Sequence, residues 1–276
     1  MLDLDLGPVP EGVLDLFAVP GDVRPVPGGR GATVVAGDLL LTPDRDPAVQ
    51  GWLSPVLARL AVAMDERPAR SARDLRLAVP VPARDGSWVV EGWAATRYEP
   101  GTRVCEDLDV VLAAGRLLHA ELAVAVPEPP SGAAPRRDRG AEIERLVFDD
   151  ADEAIATARR HGGAELADLV ADLLATPYDD SRPAQLVHAE LGGNVLLDAA
   201  GAPVVTGVVP SWRPPLWADA LAAVDAVRAG GVPSLLRAWS TPTERGALAR
   251  AAAHRLLLDG PTARATYAET ARHLVD

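Results

Sequence analysis

Two turn signals and one change of texture restrict what this chain can fold into. Gly37-Asp38 separates the apolar runs Ala32–Ala36 and Leu39–Leu41, and Asp85-Gly86 separates LRLAVPVPA from WVVEGWAATRY. Such pairs between β-rich runs signal hairpins, because glycine accepts the positive φ that a tight hairpin turn demands. Helices are predicted at about 11–18 and over 47–64; Pro55 suits the second only if it falls in the first turn. After YEPG (98–101) the texture becomes Ala/Leu-rich with a 3.6-residue period, at 106–126 and again at 163–175, around the Pro/Gly/Arg loop 127–140. Residues 185–209 return to short strands arranged as a hairpin. Helices over 216–229, 242–259 and 261–275 follow, each bounded by Pro, Gly or Ser/Thr. Strands followed by helices predict an α+β chain of two lobes, a β-rich N-lobe at about 1–97 and a helical C-lobe at about 98–276.

Composition narrows the chemistry. All 27 basic residues among the 276 are Arg; there is no Lys. This excludes a Walker A loop, a lysine Schiff base and a lysine clamp on ATP phosphates. The formal charge of −12 argues against a nucleic-acid partner, which needs a basic face. No apolar run approaches a membrane span, and no basic segment followed by an apolar one opens the chain, so a cytoplasmic protein is expected. The single Cys105 excludes a disulfide framework and a multi-cysteine metal site. His161, His254 and His273 lack metal-ligand spacing, and Ser54, Ser87 and Ser211 lack a nucleophile-elbow context.

Three segments carry a resemblance: PGGRGATVVAGDLLLTP (27–43), DGSWVVEGWAATRYEPG (85–101) and LVHAELGGNVLLDAAGAPVVTGVVPSWRPPLWADALAAVDA (186–226). In their order and spacing they resemble the aminoglycoside phosphotransferase-like branch of the protein-kinase-like fold, in particular an actinobacterial phosphotransferase-like group. The resemblance implies a nucleotide cleft between Gly28, Gly29, Arg30 and Gly31, a hinge near Trp93–Tyr98, and the loop His188–Asn194. It implies a base two residues after His188, and Asn194 as a Mg²⁺ ligand.

The departures fall on the positions that carry the reaction. The base position holds Glu190 instead of Asp, one methylene longer, and a misplacement of ~1 Å can cost ~100-fold. As a bare loop residue, Glu190 equally reads as a solvated acid. Gly207 stands where the resemblance places the metal carboxylate, and no acid lies between Asp198 and Asp219. Thr42 stands at the lysine position, and nothing acidic lies between Asp46 and Asp65 to serve as that lysine's partner. Arg30 or Arg45 could supply charge instead. Gly28–Gly31 reads either as a phosphate cradle or as a plain hairpin entrance; Val34 replaces the third glycine of a dinucleotide fingerprint. Trp212 and Arg213 read either as a packed corner or as ligand contacts.

Three simultaneous losses favour a degenerate, pseudokinase-like protein that binds a small ligand or protein partner, with no certain cofactor. The alternative is an active small-molecule kinase with a rearranged site, using ATP and Mg²⁺ with Glu190 as base. The third is a non-catalytic interaction scaffold.

Overall fold

In a computed structural model, residues 9–26, 33–231 and 233–260 are described. The expected helix 261–275 and the loop Gly28–Gly31 lie outside them. The architecture is α+β, and its two compact units are discontinuous in sequence: unit 1 comprises 1–136 and 193–210, and unit 2 comprises 137–192 and 211–276.

Unit 1 holds α1 (Glu11–Phe17), β1 (Val23–Pro25), β2 (Val34–Ala36), β3 (Leu39–Thr42), α2 (Pro47–Asp65), β4 (Arg76–Leu77), β5 (Pro80–Val81), β6 (Ala94–Arg97), β7 (Arg103–Val104) and α3 (Leu108–Ala125). The returning segment adds β9 (Val195–Leu197) and β10 (Pro203–Val205), after β8 (Gln185–His188), which belongs to unit 2. A five-stranded sheet runs β1-β2-β3-β6-β5, and a four-stranded sheet runs β4-β10-β9-β7. The β2–β3 hairpin forms at the predicted turn, with Gly37 at φ +59°. One face of the five-stranded sheet buries Val34, Ala36, Leu39 and Leu41 with Val13 and Phe17 of α1; the other buries Val35 and Leu40 with Leu196, Val204 and Tyr98. The alternation read from the sequence therefore serves two cores, not a core and solvent. Tyr98, at the end of the expected hinge, is buried in the second of these cores.

The second hairpin differs from expectation. Ala83 N–H bonds to the Ser87 carbonyl around Asp85-Gly86, but only the short β5 pairs with β6. Arg76–Leu77 turns away and pairs in parallel with β10. Arg76 supports that pairing: its guanidinium reaches Asp198 at 2.5 Å and Glu99 at 2.8 Å. Pro55 lies in the middle of α2, not its first turn. The helix survives because Asp46 caps it and Val49, Leu53, Leu57 and Leu60 bury one stripe on both sides of the proline, while Gly51, whose carbonyl loses its partner, is exposed.

Unit 2 packs α4 (Arg139–Asp149), α5 (Ala151–Leu174) and α6 (Pro215–Arg228) against α7 (Pro242–Asp259), with a 3₁₀ turn at Pro233–Ala238. β8 pairs with β11 (Pro210–Arg213), so the 185–209 hairpin is built from β9 and β10 alone and His188 sits at the end of a separate strand. The sequence reading missed α4 and the first half of α5. Gly163 (φ +77°) interrupts the latter and broke the 3.6-residue pattern at that point. No helix among the described residues is long and apolar enough to cross a membrane.

Candidate functional site

The proposed positions fall into two groups. Thr42, Asn194 and Gly207 belong to unit 1, and His188, Glu190, Trp212 and Arg213 to unit 2. Gly28, Gly29, Arg30 and Gly31 lie outside the described residues.

In unit 1, the β2–β3 register sets Val34 opposite Leu41 and so brings Thr33 beside Thr42. The two hydroxyl oxygens lie 3.2 Å apart. The position read as that of the lysine thus carries a small neutral group satisfied across the hairpin. Three residues on, Arg45 is fixed by its N–H to the Gly92 carbonyl (2.8 Å), and its Nη2 donates to the Gly207 carbonyl at 3.3 Å. Gly207 follows β10 at φ +55°. A Cβ there would stand 2.7 Å from Asn194 Oδ1 and 3.4 Å from Arg45 Nη2. The Thr206 N–H holds the Asn194 carbonyl at 2.9 Å, which locks the segment in this arrangement.

These residues do not fit Mg²⁺. A hard dication needs several oxygen ligands, carboxylates among them. Here the one side-chain oxygen the resemblance leaves, on Asn194, leans against Gly207, and the nearby charge is the Arg45 cation. No cluster of three or more His, Cys, Asp or Glu suited to a metal occurs among the described residues.

In unit 2, His188 is fully buried, and its Nδ1 accepts the Glu190 N–H at 3.1 Å, which places the ring proton on Nε2. Glu190 is neither a solvated acid nor an unengaged base. Both its oxygens accept from Arg255, at 2.8 and 3.0 Å. Arg255, only 1% exposed, also donates from Nε and Nη2 to Asp225, at 2.9 and 2.7 Å. Burial opposes the Arg255 charge, but the two carboxylates outweigh it and hold its proton more tightly than usual. Burial pushes the Asp225 carboxyl up, the Glu190 charge adds to that, and Arg255 opposes it. Gly192 fits this arrangement closely: a Cβ there would lie 2.9 Å from Asp225 Cβ.

Arg213 is also engaged structurally. Its Nε donates to Glu144 at 3.0 Å, and its guanidinium stacks 3.9 Å above the Phe148 ring. Ser211 donates to the same carboxylate at 2.7 Å. Phe148 in turn meets the fully buried Trp217 edge-on at 4.9 Å, while Trp212 is half-buried. The corner ties a carboxylate and an aromatic ring.

Arg255, Asp225 and Glu144 escaped the sequence reading. The legible signal was Arg255 within AAAHRLLL (251–258), because an arginine in so apolar a helical run is buried and therefore paired. Gln50 and Ser54 also went unremarked as site residues. They line, with Thr42, Arg45, Gly207 and Pro80, one small cavity in unit 1.

No family model and no curated protein matches the sequence. Solved structures similar to this chain include a choline/ethanolamine kinase family protein from Mesorhizobium loti, at 19% identity over 99% of this chain and 92% of that one, with a TM-score of 0.49. A thermostable mutant of aminoglycoside phosphotransferase APH(4)-Ia, in complex with AMP-PNP and hygromycin B, is similar at 15% identity over 96% of each chain, also with a TM-score of 0.49.

Proposed function

We propose that this chain is a kinase-like protein of the aminoglycoside phosphotransferase type that has lost efficient phosphoryl transfer, and that it acts in the cytoplasm by binding a small molecule or a protein partner. The observation that carries the reading is Gly207. At the position assigned to the metal carboxylate stands a residue without a side chain, in left-handed backbone, with Asn194 leaning over it and a guanidinium on its carbonyl. Thr42 and Glu190 support the same conclusion from independent parts of the reaction. A hydroxyl at Thr42 gives no charge to α- and β-phosphates. Glu190, with both its oxygens held by the two terminal nitrogens of Arg255, is engaged as an ion partner and does not point its carboxylate at an acceptor hydroxyl without first giving up that pair. The active-kinase reading would need Arg255 to release Glu190 during turnover.

A thermal-shift titration with ATP, run with and without Mg²⁺ or Mn²⁺, tests this. The expected result is a midpoint that the metal does not move further. A saturating ligand at a hundred times its dissociation constant adds ~2.7 kcal/mol, so a metal-dependent gain would be plain. Such a gain, or transfer of phosphate to any acceptor that stops on Glu190→Gln, would overturn the proposal.

A further inference from the structure

We propose that the side chains of Glu190, Arg255, Asp225, Arg228 and Asp259, alternating in charge, form a relay in unit 2 through which the charge at the end of α7 sets how firmly Glu190 is held. Glu190 meets Arg255 at 2.8 Å, and Arg255 meets Asp225 at 2.7 Å. Asp225 also faces Arg228, three residues on in α6, at 3.6 Å, and Arg228 meets Asp259 at 3.0 Å. The series runs from the segment after β8 through α7 and α6 and returns to the last residue of α7. Its middle members, Arg255 and Asp225, are buried, while Glu190, Arg228 and Asp259 each reach solvent.

Two cations compete for one carboxylate at the centre of this series. Asp225 accepts from Arg255 on both oxygens, and Arg228 lies beside the same Oδ1 that takes the Arg255 Nε–H. Burial lowers the local dielectric, so each contact depends strongly on the next. Neutralising Asp259 turns Arg228 towards Asp225, which then draws less on Arg255, and Arg255 holds Glu190 more tightly. Removing Arg228 acts the other way, because Asp225 then draws on Arg255 alone. The charged groups facing Asp225 are Arg255 from α7, Arg228 from its own helix and Glu190 from the segment after β8. Packing keeps that segment in register: a Cβ on Gly192 would stand 2.9 Å from Asp225 Cβ, so the backbone two residues after Glu190 rests on Asp225. Coupling of this kind is reciprocal, so a ligand that engages Glu190 is felt equally at Asp259. The relay concerns Glu190 whether or not the chain transfers phosphate, and so stands or falls separately from the functional reading above.

The test follows the carboxyl-carbon NMR signal of Glu190 in the whole chain through a pH titration, the signal being assigned by its loss in Glu190→Gln. Asp259→Asn should lower the Glu190 pKa and Arg228→Met should raise it, each by about twofold in proton affinity, the scale of a partly exposed ion pair. Arg228→Lys keeps the charge and should stay near the parent. Added to Arg228→Met, Asp259→Asn should have no further effect, because the link between Asp259 and Asp225 is already gone. A direct field between Asp259 and Glu190 would instead give the same shift in both backgrounds, and that result overturns the proposal. So do shifts of one sign in the two single variants, or no shift in either. The substitutions fall on side chains that reach solvent, and Arg228→Gln replaces Arg228→Met should the latter not fold.

Discussion

The Gly207 region of unit 1 and the Glu190 region of unit 2 contrast in how they treat charge, set against the kinase-like pattern that the sequence resembles. Around Gly207 the expected charges are gone: a threonine, a glycine and the neutral Gln50 remain, and the one cation, Arg45, rests on a backbone carbonyl. Around Glu190 the charges are kept but engaged, since one buried guanidinium grips two carboxylates. Under the proposed function, the first region lacks the groups that would hold a metal, and the second holds its candidate base as the ion partner of Arg255. A buried ion set of this kind is tolerated only when complete, because removing one member strands the others in low dielectric.

The largest effect should therefore come from Arg255. Arg255→Met takes from the buried Asp225 its main cation, leaving Arg228 at 3.6 Å, and should cost about 3–5 kcal/mol in urea unfolding. Adding Asp225→Asn and Glu190→Gln to it should recover most of that loss. Failure to recover would mean that the guanidinium contributes packing more than charge.

His119 offers a second comparison, as a buried histidine outside both regions. Burial holds its pKa down to about 4, against an ordinary 6.5. A depressed histidine stays neutral in the fold while the unfolded chain takes up a proton, so its contribution is intact above pH 6.5 and lost as pH falls towards 4. Between pH 7 and pH 5 this should remove about 2 kcal/mol, measured by denaturant unfolding, and His119→Leu should flatten that part of the profile. An unchanged slope in the variant would assign the acid sensitivity to other groups.

Gly207→Ala sharpens the comparison from the unit 1 side. Its φ of +55° and the 2.7 Å approach of Asn194 Oδ1 should cost about 1–2 kcal/mol, the lower figure if Asn194 swings aside. For the same reason Gly207→Asp should not create Mg²⁺-linked nucleotide binding. Its carboxylate would be strained and placed beside Arg45, and calorimetry showing such binding would contradict this geometry. The smallest effect is expected at Thr42→Val, where loss of one hydroxyl pair with Thr33 should cost about 0.5–1 kcal/mol.

The local elements were legible where one physical signal dominated. The Gly37-Asp38 hairpin, the Asp46-capped α2 and the Asp107-capped α3 all form where turn chemistry, caps and periodicity agree. The second hairpin was legible only as a turn, because Arg76–Leu77 pairs with β10 and Arg76 meets Asp198, 122 residues away. Thr42, Glu190 and Gly207 could be singled out in the chain, and their charge types read directly, since a side chain's chemistry belongs to its own residue.

What those groups do depends on neighbours distant in sequence. Glu190 as a bare string entry is equally a base or a solvated acid; Arg255, 65 residues on, makes it an ion partner. Gly207 stood out in the sequence against the resemblance, but its left-handed backbone and the Asn194 and Arg45 contacts arise only when β9, β10 and the β3–α2 turn come together. The sequence by itself determined the α+β class, the hairpins, the capped helices and the absence of lysine, because turn chemistry, periodicity and composition act over a few residues. Only the tertiary structure decided strand partnership, the discontinuous units and the fate of each charge, because burial and pairing are set by groups that meet only after the chain has folded.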